Sequence, residues 1–222
     1  GHRNMNSDGH ILTIEDPIEY VHHHQRSIVT QREVGTDTES YDAALKSALR
    51  QAPDVILIGE IRSRETMEFA LSFAETGHLV LATLHANNAN QAIDRIMHLV
   101  PEQSQRQMLF DLSVNLNAII AQQLIETTTG GRRAAFDILV NTPTVADALQ
   151  KNELFKLKEI MLKSKEEGMT TFDRSLFELY QQGIITYHNA LQYADSENEV
   201  RLMIKLSGGV HENDELSNVV FE

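Results

Sequence analysis

Four large aliphatic residues in a row, Val55-Ile56-Leu57-Ile58, stand between Asp54 and Gly59-Glu60. A run this short and unbroken leaves no wet face, so it fits a strand covered on both sides, as in a parallel sheet. Leu79 to Leu84 reads as another buried strand, ending at His85, and Ile11 to Ile14 as a further one, followed by Glu15-Asp16-Pro17. Between them the period changes. Tyr41, Ala44, Leu45, Ala48 and Leu49 recur at helical spacing over about 40–51, and residues 64–76 form an amphipathic pattern closed by Gly77. A further helix is expected from Ala89 to Leu99. Strands alternating with such helices give an α/β layer with right-handed crossovers, and ligands gather at the carboxyl ends of its strands. Those ends carry Glu15-Asp16, Glu60 and His85.

The segment from Ile18 to Gly35, with β-formers around Ile28-Val29-Thr30, reads as an irregular hairpin. After Pro101 a long helix is expected over 102–121, then a hairpin over 122–140 around Gly130-Gly131. From Thr142 the pattern is helical, with segments at 143–151, 153–167, 171–182, 187–194 and 196–206. This gives an α/β core over 1–141, a helical subdomain over 142–206 and a tail over 207–222 with four acids and no Lys or Arg, expected to be mobile. The polar stretch Gly1 to His10 reads as the end of something longer.

The balance of 32 acidic against 19 basic residues gives a net charge of -13 over 222 residues, which argues against neutralising nucleic-acid phosphates. No run reaches the ~18 apolar residues of a membrane-spanning helix. Cysteine is absent, which excludes disulfides, thiolate metal sites and cysteine nucleophiles. These features point to a soluble, cytoplasmic protein.

A rigid strand ending in Glu60 can aim a carboxylate at a water poised for attack on phosphorus. Taken alone, such an acid more often just ends a strand. Glu15, Asp16 and Glu19 surround Pro17 and supply the hard oxygens that a Mg-nucleotide favours, with turn capping as the plainer use. His78 and His85 stand seven residues apart around one strand, on opposite faces if it stays regular, which argues against a shared metal. His22-His23-His24 alternate sides on an extended segment and read as an exposed loop feature. No phosphate loop of the form G-x-x-x-x-G-K-[ST] is present, and the first lysine is Lys46.

Three motifs in register carry a family resemblance. Thr13-Ile14-Glu15-Asp16-Pro17-Ile18-Glu19 resembles the acidic Asp box of the secretion and pilus motor ATPases. Residues 52–62, from Ala52-Pro53-Asp54 to Gly59-Glu60-Ile61-Arg62, resemble their Walker B motif, and Ala74-Glu75-Thr76-Gly77-His78 with Ala82-Thr83-Leu84-His85-Ala86 resembles their His box. Within that family the chain is most similar to the type IV pilus retraction ATPases. One paralogue of that group carries an Ala-Ile-Arg-Asn-Leu-Ile-Arg-Glu segment, where this chain has Thr144-Val145-Ala146-Asp147-Ala148-Leu149-Gln150-Lys151. That departure and the tail favour the other paralogue.

The resemblance implies a RecA-like P-loop ATPase core, truncated on its N-terminal side, followed by helices. It implies a parent that uses ATP and Mg²⁺, with the metal held through the nucleotide, and that forms a homo-hexamer driving pilus retraction. Its implied partners are a paralogous retraction ATPase and the inner-membrane platform protein, with no nucleic acid and no membrane insertion. Glu60 would be the catalytic carboxylate. Glu15, Asp16, Glu19 and Asp54 would support Mg-nucleotide, and His78 and His85 would sense the phosphate. Arg32 and Arg62 would pair with acids or line a subunit boundary. The isolated chain is expected to be inactive for want of the phosphate loop. The alternative is a non-catalytic module that docks its helices on a partner motor ring.

Overall fold

The computed structural model describes residues 1–208. The described residues divide into two compact units: 1–86, 91–117 and 146–153 form the first, and 87–90, 118–145 and 154–208 the second. The hairpin thus sides with the later helices, whereas the sequence reading joined it to the core at 141. The acidic tail lies outside the described residues from 209.

The first unit starts with a short helix α1 (His2–Asn6) and is built on β1 (Gly9–Glu15), β2 (Ser27–Glu33), α2 (Tyr41–Ala48), β3 (Val55–Ile58), α3 (Arg64–Glu75) and β4 (Leu79–Ala82). Most of α4 (Ala89–Leu99) and all of α5 (Glu102–Asn115) complete it. The sheet is parallel throughout, in the order β2-β1-β3-β4. Leu12, Ile14, Ile56 and Ile58 are fully buried, as are Leu45, Phe73 and Ile93 of the same unit. Each contributes about 1.5–3 kcal/mol by leaving water. Ser40 and Ser63 cap α2 and α3 by accepting from the amides of Ala43 and Thr66, which fixes where each helix starts after its loop.

Several expectations change. Residues 18–35 do not form a hairpin: β2 pairs in parallel with β1, Gly9 opposite Ser27 and Glu15 opposite Glu33. Residues 16–26 carry the chain back along the strand before β2 begins, so both strands run the same way. That return segment is held by its own bonds. The His22 amide donates to Gln31, His24 Nδ1 accepts from the Val29 amide, and Asn4 donates to the His23 carbonyl. The strand expected over 79–84 stops at Ala82, and it is an edge with Leu81 half exposed rather than a buried strand. Helix α5 ends at Asn115, not 121, because residues 118–126 are paired in a ladder.

The second unit holds β5 (Ala118–Glu126) and β6 (Arg132–Val140), an antiparallel hairpin turned at Gly130-Gly131, both with φ above +80°. Glycine is needed there because a Cβ disfavours that backbone region. After α6 (Pro143–Gln150), whose residues from 146 on belong to the first unit, come α7 (Leu157–Lys163), α8 (Phe172–Gln181), α9 (Tyr187–Gln192) and α10 (Glu197–Leu206). The helix expected over 153–167 is broken into 3₁₀ turns around α7, with Gly168 left-handed after it. One hairpin face, through Ile125 and Ala135, packs on Phe172, Leu176, Ile185, Ala190, Val200 and Ile204.

Candidate active site

β3 and its neighbours run in parallel, so their carboxyl ends lie on one edge, and the chain leaves β3 through Gly59, Glu60, Ile61 and Arg62. This exit is tightly held. The Gly59 amide donates to the Ile14 carbonyl, Thr83 Oγ1 donates to the Gly59 carbonyl, and the Ile61 amide donates to the Thr83 carbonyl. A Cβ on Gly59 would lie 2.9 Å from the Tyr41 hydroxyl, 3.1 Å from the Ile14 carbonyl oxygen and 3.2 Å from Glu15 Cα. Close approach of β1 and the α2 start therefore requires glycine before Glu60.

Glu60 is buried, with 8% of its surface exposed, and both carboxylate oxygens are engaged. Oε2 accepts from Arg62 Nε at 2.5 Å, and Oε1 lies 3.1 Å from His85 Nε2. Arg62 Nη1 reaches Asp16 Oδ2 at 3.5 Å, so one guanidinium bridges the acids that end β1 and β3. The ion pair with Glu60 raises the Arg62 pKa, keeping that bridge charged. Tyr41 closes the cluster from α2, its hydroxyl hydrogen-bonded to the Glu60 backbone. Burial first, and then the Asp16 charge, push the Tyr41 phenol up, so it stays neutral. Glu15 is fixed by Thr13 Oγ1 at 2.5 Å and Gln31 Nε2 at 3.0 Å. Beside His85 a cavity of about 440 Å³ opens, lined by Gln91, Asp94, Arg95 and His98 of α4.

The structure thus brings together Glu60, Asp16 and His85, with Glu15 nearby on β1 and Glu19 exposed beyond Pro17. It does not bring in Asp54 or His78. Asp54 sits at the amino end of β3, six residues from Glu60, roughly 20 Å at ~3.3 Å per residue. There its carboxylate accepts from the His10 amide at 2.7 Å, and it packs on Gly9. His78 precedes β4 at the same sheet edge, and its Nδ1 lies 3.0 Å from Thr76 Oγ1 and 3.1 Å from the Phe73 carbonyl. Both are strand-start residues, and strand polarity separates them from the site. Tyr41 escaped the sequence reading because helical spacing marks it as core. Of the two uses considered for Arg62, the structure shows pairing with acids; Arg32 instead bonds Ser47 at 3.4 Å. Among the described residues no three His, Asp or Glu side chains converge to hold a metal ion.

Residues 3–137 match the family described as type II/IV secretion system protein. The chain belongs to that family. It is 60% identical over 220 residues to the type IV pilus ATPase PilU of Pseudomonas aeruginosa, covering 99% of this chain and 57% of that protein. The crystal structure of the pilus retraction motor PilT with bound ADP superposes with a TM-score of 0.84 at 42% identity, over 90% of this chain and 57% of that one. The ATPase DotB of Legionella pneumophila follows at 0.75 and 27% identity, over 83% and 51%. The chain spans about half the length of the curated relatives it matches. The α/β layer expected from the alternation of strands and helices is the architecture these ATPases share.

Proposed function

We propose that this chain is the carboxyl-terminal part of a type IV pilus retraction ATPase, a homo-hexameric motor whose ATP hydrolysis drives retraction at the inner-membrane pilus machinery. The carrying observation is the carboxylate of Glu60, buried at the sheet's carboxyl edge and flanked by His85 and Arg62. Similarity to PilU and PilT supports the motor assignment.

In this reading Glu60 orients the attacking water and takes its proton, the role a fixed carboxylate near a phosphoryl group can fill. His85 holds Oε1 from the solvent side and faces the cavity into which a terminal phosphate would project. Asp16 and Glu15 stand on the neighbouring strand end, where carboxylates favour a hydrated cation. Bound together with the nucleotide, Mg²⁺ would supply charge neutralisation. Asp54 and His78 hold the far edge of the sheet and take no part in the chemistry.

Glu60→Gln in the full-length protein is expected to lower hydrolysis by about 10²–10⁴-fold while nucleotide affinity stays within about threefold. Retained hydrolysis would remove Glu60 from the mechanism. The 222-residue chain, which lacks G-x-x-x-x-G-K-[ST], is expected not to bind ATP at micromolar concentration. Stoichiometric binding by equilibrium dialysis would contradict that.

A further inference from the structure

We propose that Arg62 is a switch residue: it holds the Glu60 carboxylate while no ligand is present and exchanges partners to the terminal phosphate when one arrives. The inference rests on the ATPase reading of Glu60 and goes beyond it by naming what keeps that base from acting in the empty site. Three observations carry it.

First, both oxygens of the carboxylate are engaged. Glu60 is nearly buried, and its two oxygens are taken by Arg62 Nε at 2.5 Å and His85 Nε2 at 3.1 Å. Each oxygen keeps a second lone pair, but with so little of the residue exposed, water reaches Oε2 from the solvent side that Arg62 covers. Withdrawal of Arg62 opens that side of the carboxylate to a water.

Second, Arg62 is the partner able to move. Its side chain is 59% exposed against 9% for that of Glu60, and it sits outside any strand or helix, between β3 and the Ser63 cap of α3. His85 is more exposed still, but an imidazole offers a phosphate one ring nitrogen at a time, whereas a guanidinium offers a fork of donors. Glu60 itself cannot follow, because its backbone is fixed by Tyr41 and the residues beside it by Ile14 and Thr83.

Third, the pairing is one that a phosphate can undo. Guanidinium groups bind phosphate oxygens with the same fork geometry they use for carboxylates. The second anchor, Asp16, is a long contact at 3.5 Å to a partly exposed acid, so Arg62 gives up little there. A terminal phosphate entering beside His85 would draw the guanidinium off Glu60, freeing the base in the same event that places its substrate.

The test uses the full-length protein with Arg62→Gln, Arg62→Lys and Glu60→Gln. Arg62→Gln is expected to lower kcat by about 10²-fold or more with KM within about threefold. Arg62→Lys, which keeps the charge but loses the fork, should recover at least tenfold of that loss. The ¹⁵N signal of Arg62 Nε–H should be hydrogen-bonded in the free protein, lost from that position in Glu60→Gln, and shifted by ATP added to Glu60→Gln. Loss of activity through the fold alone would instead show as a lower melting temperature that lysine does not restore. Arg62→Gln with kcat within threefold of the parent, or an Nε–H signal indifferent to Glu60→Gln, would overturn the switch. If Glu60→Gln itself hydrolyses ATP normally, the ATPase reading of the site falls first, and the switch with it.

Discussion

Glu60 in the first unit and Asp173 in the second are both acids almost without solvent, 8% and 1% exposed, and each is met by a basic side chain. Their partners differ in kind. Glu60 is held by Arg62 and His85, side chains 59% and 76% exposed. Asp173 is held by the Ser196 amide at 3.1 Å and by Lys158, whose ammonium also meets Glu199 at 3.0 Å. Nearby in the same unit Asp137 accepts from the Ala89 amide, and Asp195 from Asn88. Contacts made by exposed, rotatable groups can be traded for a ligand. Contacts made by the backbone and by one partly buried cation cannot be traded without opening the fold. The first cluster suits chemistry and the second architecture, though both combine a buried acid with a cation.

The sharpest way to break this comparison is to remove the cation from the second cluster. Lys158→Met leaves Asp173 charged and buried with the Ser196 amide as its remaining hydrogen-bond donor. Unfolding stability should fall by about 2–4 kcal/mol in urea titrations, reaching below the ~3–5 kcal/mol of a broken buried pair because Lys158 is itself partly exposed. Hydrolysis per folded molecule should not change.

Next in size is Gly59→Ala. Two of the three atoms its methyl would meet are backbone, Ile14 O and Glu15 Cα, so the strand exit has to shift rather than a side chain. A loss of about 1–3 kcal/mol is expected. Adding Tyr41→Phe should recover part of it by removing the contact at 2.9 Å. Full stability in Gly59→Ala would show that the exit from β3 is looser than described.

The smallest effect is a pH dependence. Burial raises the Asp137 pKa, so the folded chain holds that proton more tightly than the unfolded chain does. The stability this contributes is complete below the unfolded value of about 3.9 and is lost as pH rises through the raised folded value. Asp137→Asn lacks that loss. Its melting temperature relative to the parent should therefore improve between pH 4 and pH 7.5, and a difference that stays flat or worsens would contradict the cause assigned.

How much of this was legible in the sequence follows from the range of the interactions. The unbroken run Val55–Ile58 and the turn at Gly130-Gly131 are local signals, and both elements form as they imply. Glu60, Asp16 and His85 were legible because each ends or follows a strand, and parallel strands bring such ends to one edge. Asp54 and His78 belong to the same sequence motifs, but direction along a strand separates them from Glu60, and a motif read as a string does not show this. The parallel course of β2 depends on how residues 16–26 travel, which periodicity does not encode. Lys158, Asp173 and Glu199 lie on three different helices, so no spacing rule could have joined them.

The most direct test sets the two buried acids side by side in the full-length protein, with Glu60→Gln and Lys158→Met each measured for ATP turnover and for melting temperature. Glu60→Gln should lose turnover by about 10²-fold or more and keep its melting temperature, while Lys158→Met should do the reverse. Turnover in Glu60→Gln within threefold of the parent would contradict the assignment of chemistry to the edge where β1, β3 and β4 end.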